Sequence, residues 1–358
     1  MAGVLIGVVL AGHEAVASML VTLTVLLFRE CVDVGYSEGN ADRELPWYRS
    51  LQWAWFCFAM WCAYGLKMIK APLELFDRFE PWIKNVTGPT LAFLFQARHY
   101  HYEVSIVLYS GAFCATVLSL RKGYYALQLR ILSFTVLALS LFVFQMKVAI
   151  FNVFVGLFWF LFPLVLVAVN DSAAYLFGFC FGKRFIRKPL LELSPNKTWE
   201  GFLGAAATTL AAGWLLPPLL ATPFLACSYM DVKTVGLEAC PVPDFFTNGN
   251  IRWHGLLLAF YASFIAPFGG FFASAIKRAY GLKDFSSLIP GHGGFMDRFD
   301  CQFMMALFTW VHIVTFIHPS SPLSEAQALV ESMSLEDQRE LLSTLASSLG
   351  VRCQGTTW

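Results

Sequence analysis

The sequence predicts an all-α, polytopic integral membrane protein, and three observations support this fold class. Of the 358 residues, 57% are hydrophobic and only 14% are charged, whereas about a quarter of the residues in a soluble domain are charged. The mean hydropathy is +0.60. Apolar stretches of about 20 residues, the length that a helix needs to cross a bilayer, recur along the chain. Together these features exclude an ordinary soluble domain.

The apolar stretches predict eight or nine membrane helices. They lie at residues 2–28, 51–69, 103–120, 127–145, 153–170, 202–221, 255–273 and 302–317. A shorter apolar piece, 172–182, predicts a broken helix or a re-entrant segment. The stretch 2–28 is longer than the apolar region of a signal peptide and has no basic segment before it, so we interpret it as the first membrane helix.

The chain divides by composition into one membrane domain, 1–320, and a short amphipathic tail, 321–358. No internal repeat or Gly/Ser linker interrupts the first part. In the tail, the segment from Ser334 to Asp337 resembles a capping box, and the leucines that follow recur at helical spacing. We therefore expect one tail helix outside the bilayer.

Positive charge concentrates in two connections between the predicted helices. One carries Lys183, Arg184, Arg187, Lys188 and Lys197, and the other carries Lys277, Arg278, Lys283 and Arg298. The loop between them, 222–254, has only two basic residues beside three acidic ones. Since one helix lies on either side of this loop, the two basic connections fall on the same face, which the positive-inside rule makes cytoplasmic.

The nine cysteines include no CxxC pair, and most lie in apolar stretches, which is typical of small packed hydrophobic residues. Cys227 and Cys240 share one loop, where a disulfide requires that the loop face an oxidising lumen; the sequence leaves this open. The pair His13-Glu14 lies in an apolar stretch, and we expect neighbouring helices to satisfy it.

The densest polar cluster lies between two predicted spans, from Ser274 to Asp300. On a helix, Ser274, Lys277 and Arg278 would share one face. Asp297 and Asp300 are three residues apart and would also project together, as a carboxylate pair suited to Mg²⁺ and substrate phosphates. The glycines at 291, 293 and 294 permit positive φ and close backbone approach, so their amides could hold a phosphate. Ionisable groups at membrane depth usually mark a functional site.

Two further clusters contain groups that could bind phosphate or a cation. Thr198 is a candidate N-cap, and a helix N-terminus beside Lys197 is an anion site; the alternative is an ordinary cap with an interfacial lysine and tryptophan. Asp171, next to Asn170, ends an apolar helix, and its insertion costs about 2.5–3.5 kcal/mol. It requires a partner, either a metal ion or a buried Arg or Lys.

The segment 274–300 resembles the signature of the phosphatidate cytidylyltransferases, also called CDP-diacylglycerol synthases. Its parts are S-x-x-K-R, then K-D-F, then I-P-G-H-G-G-x-x-D-R-x-D. The helix with Asn170-Asp171, the segment S-P-N-K-T-W-E-G and the run G-G-F-F-A-S before Lys277 resemble the eukaryotic branch. The likeness extends from about residue 45 into the tail and is weakest in loop 222–254.

The resemblance implies a Mg²⁺-dependent reaction in which CTP and phosphatidic acid give CDP-diacylglycerol and pyrophosphate. It implies a multi-pass protein of the endoplasmic reticulum membrane, with CTP, phosphatidic acid and membrane lipids as partners and no nucleic acid; a homodimer is left open. The implied metal ligands are Asp297 first, then Asp300, Asp171 and Ser274. The implied catalytic residues are Lys277, Arg278, Lys283, Asp284, His292 and Arg298. The implied substrate-binding residues are Ser194, Lys197, Thr198, Gly291, Gly293 and Gly294.

The chain departs from the bacterial pattern in one segment of chemical importance. Bacterial relatives show G-D-L-x-E-S where this chain has G-G-F-F-A-S, so their carboxylates fall on Gly270 and Ala273. A ligand from Asp171, Asp284 or Asp300, or a different metal arrangement, would have to compensate. Two other functions remain to be distinguished: a CTP-dependent polyprenol or phytol kinase, which would transfer the γ-phosphate, and a lipid or nucleotide transporter.

Overall fold

Helices form the regular secondary structure of this computed structural model, and an isolated β-bridge pairs Leu191 with Ser194. The structure describes residues 2–36, 45–77, 100–186, 188, 190–191, 194, 197–237, 240, 242–247, 249–286, 293–317, 330 and 335–348. The all-α prediction is therefore confirmed for these residues.

The long helices follow the apolar stretches of the sequence. They are α1 (Ala2–Leu10), α2 (His13–Tyr36), α3 (Pro46–Asp77), α4 (His101–Leu118), α5 (Tyr125–Leu139), α6 (Gln145–Val155), α7 (Leu157–Phe181) and α8 (Trp199–Leu220). Three short helices follow: α9 (Pro223–Ala226), α10 (Tyr229–Val235) and α11 (Asp244–Thr247). The remainder are α12 (Ile251–Phe264), α13 (Pro267–Ala279), α14 (Met296–His312) and α15 (Leu335–Ser348). Single π-turns, Ser140–Phe144 and Ile313–Ile317, link α5 to α6 and extend α14.

Two predicted boundaries are wrong. The stretch 2–28 is not one helix, because the chain breaks between α1 and α2, where Gly12 adopts a left-handed φ of +95°. The piece 172–182 is neither a separate broken helix nor a re-entrant segment. It is the last part of α7, which runs without interruption through Asp171 to Phe181.

Seven helical segments in the described part of the chain are long and apolar enough to cross a membrane. They are His13–Gly35, His101–Leu118, Tyr125–Val155, Leu157–Phe181, Trp199–Leu220, Ile251–Ala279 and Met296–Ile317. This number is close to the eight or nine predicted from the sequence. The predicted span 51–69 lies within α3, which is not among the seven.

Small residues allow the helices around the functional region to approach closely. A Cβ atom at Gly201 of α8 would lie 2.8 Å from the carbonyl oxygen of Ala174 on α7. At the other end of α8, a Cβ at Gly213 would overlap that of Ala259 on α12 and lie 2.8 Å from the carbonyl oxygen of Gly255. Glycine at such crossings lets membrane helices gain packing contacts that a larger residue would block.

A disulfide bond joins Cys227 and Cys240, the pair that the sequence left open. Nearby, the hydroxyl of Tyr229 donates a hydrogen bond to the Glu14 carboxylate at 2.5 Å, and its ring meets the His13 ring edge-on at 5.9 Å. The expectation that neighbouring helices satisfy the His13-Glu14 pair is confirmed for Glu14. The His13 Nε2 atom is buried without a hydrogen-bond partner in the described structure.

The chain separates into two compact units, Met1–Trp310 and Val311–Trp358. The second unit contains α15, an exposed helix at the position where the sequence predicted a tail helix. The functional region described below lies within the first unit. The sequence-based division into a membrane domain, 1–320, and a tail, 321–358, stays a prediction.

Candidate active site

A cavity of about 500 Å³ lies between the C-terminal half of α7, the start of α8 and the start of α13. Its polar wall is formed by Asn170, Asp171, Ser194, Lys197 and Thr198, and its apolar wall includes Tyr175, Phe179, Phe202 and Phe271. The sequence placed the two polar clusters of α7 and α8 about 27 residues apart, and the close packing of these helices brings them into one cavity.

The start of α8 presents a positive charge and helix amides to this cavity. Thr198 caps the helix, and its Oγ1 accepts a hydrogen bond from the Gly201 amide at 3.2 Å, which confirms the predicted N-cap. The Lys197 ammonium lies 4.3 Å from the centre of the Phe271 ring, a cation–π distance. The aromatic ring holds the ammonium without neutralising it, so the helix N-terminus and Lys197 are available to an anion.

Acidic and basic side chains from three elements converge here. Asp171 on α7 interacts electrostatically with Lys197 and Arg298, and Asp300 on α14 interacts with Asp171 and Lys197. The Asp171 carboxylate makes no hydrogen bond to any residue that the structure describes. Its neighbour Asn170 is instead engaged in the core, where its Oδ1 accepts a hydrogen bond from the Thr209 hydroxyl at 3.3 Å. Asp171 therefore has cationic neighbours and free oxygen ligands, so both of its predicted roles fit.

The departure at Gly270 has a structural counterpart. A Cβ atom on Gly270 would lie 3.3 Å from Oδ2 of Asp300, and one on Gly269 would overlap the Asp300 carbonyl oxygen. The position where the bacterial pattern carries an aspartate thus directly faces Asp300. Oδ1 of Asp300 accepts the Cys301 amide at 2.7 Å. In this chain, Asp300 therefore supplies the carboxylate at the place where α13 packs against α14.

Asp297 lies in a dense set of hydrogen bonds. Its Oδ1 accepts the Lys277 ammonium at 2.6 Å, and its Oδ2 accepts the backbone amides of Phe285 and Gly294, each at 3.1 Å. The side chains of Lys277 and Asp297 are 16% and 8% exposed. Asp297 therefore ties α13, the connecting loop and α14 together.

Of the glycines before α14, Gly293 has the positive φ that the sequence allowed for. Gly293 has a φ of +81°, and a Cβ atom there would lie 3.1 Å from Oδ2 of Asp297 and 3.5 Å from Asp284. Gly294 is buried. Gly291 and His292 lie outside the described residues.

The other predicted residues occupy the margin of this cluster. Arg278 donates to the Leu282 carbonyl at 3.5 Å, and Lys283, Asp284 and Arg298 are exposed. The Ser274 hydroxyl donates to the Gly270 carbonyl of its own helix at 2.8 Å. Ser194 lines the cavity, and its carbonyl oxygen accepts the Lys197 amide at 3.0 Å.

Two acidic residues near the site were missed by sequence reasoning. The Glu200 carboxylate accepts the backbone amides of Lys183, Phe185 and Ile186 at 2.7–3.2 Å and so folds the loop that follows α7. Glu30 on α2 is fully buried and bonds to the segment that precedes α14. The signal for Glu30 was a single acid just after an apolar run. Sequence alone does not reveal its partners, because they lie more than 250 residues away.

A cavity that combines an acid, a lysine and a helix N-terminus is typical of an enzyme that handles phosphate groups. Residues 1–316 match the model of the cytidylyltransferase family. The chain therefore belongs to the cytidylyltransferase family, and the relatives described next place it among the phosphatidate cytidylyltransferases.

These relatives align along almost the whole chain. Phosphatidate cytidylyltransferase 1 of Arabidopsis thaliana is 34% identical over 98% of this chain and 85% of its own length. Phosphatidate cytidylyltransferase 1 of Homo sapiens is 35% identical over 96% of this chain and 75% of its own length. A probable phosphatidate cytidylyltransferase of Dictyostelium discoideum is 37% identical over 85% of this chain and 66% of its own length. The resemblance stated from the signature is thus confirmed.

Proposed function

We propose that this chain transfers CMP from CTP to phosphatidic acid, which gives CDP-diacylglycerol and pyrophosphate for the synthesis of phospholipids such as phosphatidylinositol, phosphatidylglycerol and cardiolipin. Its family and its relatives support this reaction. The structural observation that supports it best is the cavity lined by Asp171 and Lys197, which interact electrostatically with Asp300 and, for Asp171, with Arg298. It lies between helices long enough to span a membrane, so a lipid phosphate and a soluble nucleotide can both reach it.

The reaction needs positioning and charge neutralisation rather than a protein nucleophile. A phosphate oxygen of phosphatidic acid attacks the α-phosphorus of CTP, the bond from that phosphorus to the β-phosphate oxygen breaks, and pyrophosphate leaves. Lys197 and the α8 N-terminus hold phosphate oxygens at the cavity wall. Thr198 and Ser194 line the same wall. Arg298 neutralises charge on the substrate phosphates, because its planar guanidinium can donate two hydrogen bonds to one phosphate group.

The acidic residues of the cluster fit a Mg²⁺ ion. Mg²⁺ in such sites binds one or two carboxylates together with substrate phosphates and water. We assign Asp300 and Asp171 as the ligands that need the least rearrangement. Asp297 and Ser274 are further candidates whose present hydrogen bonds, to Lys277 and to the Gly270 carbonyl, would have to change. When bound, the metal neutralises charge that develops on the phosphates. Among the described residues, no group of three His, Cys, Asp or Glu side chains is arranged to hold a metal without substrate.

The segment from Lys277 to Arg298 forms the second half of the phosphate site in this proposal. Gly291, Gly293 and Gly294 would shape a loop whose amides meet the leaving pyrophosphate, with His292 as a further contact. Lys277, Arg278 and Lys283 supply positive charge beside this loop. Asp284 lies next to Gly293 and stays a candidate catalytic residue beside this loop.

We place the cavity on the cytoplasmic side of the endoplasmic reticulum membrane, because both basic connections belong to that face by the positive-inside rule. The disulfide-bonded loop, which lies between these connections along the chain, would then face the oxidising lumen. Helix α3 is the proposed eighth span. The expected partners are CTP, phosphatidic acid and membrane lipids, and no nucleic acid; a homodimer is compatible with this arrangement.

The reaction is tested with purified protein in detergent, phosphatidic acid, Mg²⁺ and CTP labelled separately at its α- and γ-phosphates. We expect the lipid to gain the α-label and the γ-label to leave as pyrophosphate. If the lipid gains the γ-label, the protein is a lipid kinase. If neither label moves in folded protein that binds CTP, catalysis is refuted and counterflow of labelled substrate tests transport.

A further inference from the structure

Glu30 lies on the membrane helix α2 near the N-terminus. None of the residues that we assign to substrate or metal binding is on this helix. The Glu30 side chain is 0% exposed. Its partners come from the other end of the chain. Oε1 accepts the Ser286 hydroxyl at 2.6 Å and the Phe295 amide at 2.9 Å, and Oε2 accepts the Met296 amide at 2.9 Å. These three hydrogen bonds offset the free-energy cost of burying the carboxylate in the protein.

In the folded structure, the Glu30 carboxylate lies beside the first residues of α14. The first amides of a helix have no partner within the helix, and the helix dipole favours a negative charge beside them. An N-cap residue of the same chain segment usually fills this role. Here a carboxylate from α2 takes it, so the starting point of α14 is set by another membrane helix.

Gly294 shows how closely the two segments approach. A Cβ atom at this position would lie 2.8 Å from Oε2 of Glu30 and 3.0 Å from Oε1. Any side chain there would have to displace the carboxylate or the loop. Glycine is therefore required at 294 for close approach to Glu30, in addition to any contact with phosphate.

Glu30 and Asp297 together hold the segment before α14 from two sides. Glu30 accepts the amides of Phe295 and Met296, while Asp297 accepts those of Phe285 and Gly294 and the ammonium of Lys277. Four backbone amides are thereby fixed by two carboxylates. Because Gly293 and Gly294, the described residues of the predicted phosphate loop, lead directly into these amides, their position depends on both acids.

We infer that Glu30 is a positioning residue of the cytidylyltransferase site, which fixes residues 293–296 so that these residues and the first turn of α14 meet the phosphates of CTP. This inference rests on the proposed function. It makes α2 a part of the active-site architecture, although Glu30 itself touches neither substrate nor metal.

Glu30→Gln tests the inference. The amide has nearly the same size but lacks the charge and has one accepting oxygen instead of two, so at least one loop donor loses its acceptor. We expect the KM for CTP and the inhibition constant of added pyrophosphate to rise together by about 10- to 100-fold, because hydrogen bonds to a charged group are being lost. The KM for phosphatidic acid should change much less. A purely structural role would lower the amount of active enzyme and leave all three constants unchanged.

Asp33→Asn is the matched control. It removes a carboxylate from the same helix, three residues further on, where Asp33 pairs with Arg49 at 2.8 Å on the exposed surface. We expect wild-type constants for CTP and pyrophosphate. Wild-type turnover in the same preparation shows that the reaction itself is intact, so failure of this inference is distinguishable from failure of the proposed function.

Ser286→Ala removes one of the three donors to Glu30 without leaving a buried charge bare. We expect a smaller rise in the same two constants, and the double variant should be less impaired than the product of the two single effects. If Glu30→Gln fails to fold, the kinetic constants of Ser286→Ala test the inference on their own. Wild-type constants for CTP and pyrophosphate in Ser286→Ala, together with an unfolded or kinetically normal Glu30→Gln, would overturn the inference.

Discussion

Asp297 illustrates how one side chain joins several parts of the site. It was assigned from the sequence as the first metal ligand, and in the structure its two oxygens accept Lys277 and two backbone amides. The two roles make different demands. As a metal ligand it would have to release Lys277, whereas as an anchor it keeps Lys277 and the loop in place for the phosphates.

Asp297→Asn should reduce kcat/KM for CTP by at least about 100-fold, because a mostly buried ammonium and two amides lose their anionic acceptor. The dual-label assay in detergent measures this loss, and insertion into the membrane should be preserved. Asp231→Asn is the control, since Asp231 lies outside the site and bonds to Ser228.

The Mg²⁺ dependence of the Asp297→Asn variant separates the two roles. A higher Mg²⁺ concentration for half-maximal activity assigns Asp297 to the metal. An unchanged requirement with a raised KM for CTP assigns it to Lys277 and the loop. Full activity at ordinary Mg²⁺ would refute both assignments.

The site residues that could be identified from the sequence are charged residues within or next to apolar stretches. Asp171 interrupts an apolar stretch, Lys197 lies in a basic connection just before one, and the structure brings both to the cavity. Glu30 could not be assigned, because a single acid near the end of an apolar helix gives no information about a partner at Ser286 or Met296. Glu200 was overlooked because its partners are backbone amides. Every residue except proline has a backbone N–H, so the sequence gives no sign of this contact.

At the scale of elements, the positions of the helices along the chain were predictable from the sequence. The residues at which helices break or continue were not. Hydropathy located the helices because each apolar stretch has to satisfy its backbone within the membrane. The break at Gly12 and the continuity of α7 through Asp171 do not follow from hydropathy, which carries no information about contacts between helices. Such contacts also explain why several glycines cannot be replaced, since they lie where two helices cross.

Gly213→Ala should destabilise the protein by about 1–3 kcal/mol, because the added methyl group overlaps Ala259 at the crossing of α8 and α12. Thermal unfolding in detergent measures the effect as a lower Tm. Gly111→Ala on α4 is the control. Its Cβ would meet nothing within 4 Å, so we expect no loss, or a gain of about 0.5–1 kcal/mol from reduced backbone entropy. Equal stability of the two variants would contradict the close helix crossing.

At the scale of the whole molecule, the proposed orientation requires that Lys188 and Lys233 lie on opposite sides of the membrane. Single cysteines are introduced at each position in a chain whose free cysteines are replaced by alanine. In sealed microsomes, a membrane-impermeant maleimide should label Lys188→Cys directly and Lys233→Cys only after permeabilisation. The reverse pattern would place the cavity on the luminal side.

The long-range bonds of Glu30 also constrain how the protein is made. The carboxylate enters the membrane with α2, but Ser286 is synthesised 256 residues later. At typical synthesis rates of 5–20 residues per second this delay is about 13–50 s. During that interval a charged group lies in a membrane helix without its native donors. The N-terminal helices therefore complete their native contacts only after the last membrane helices have been synthesised.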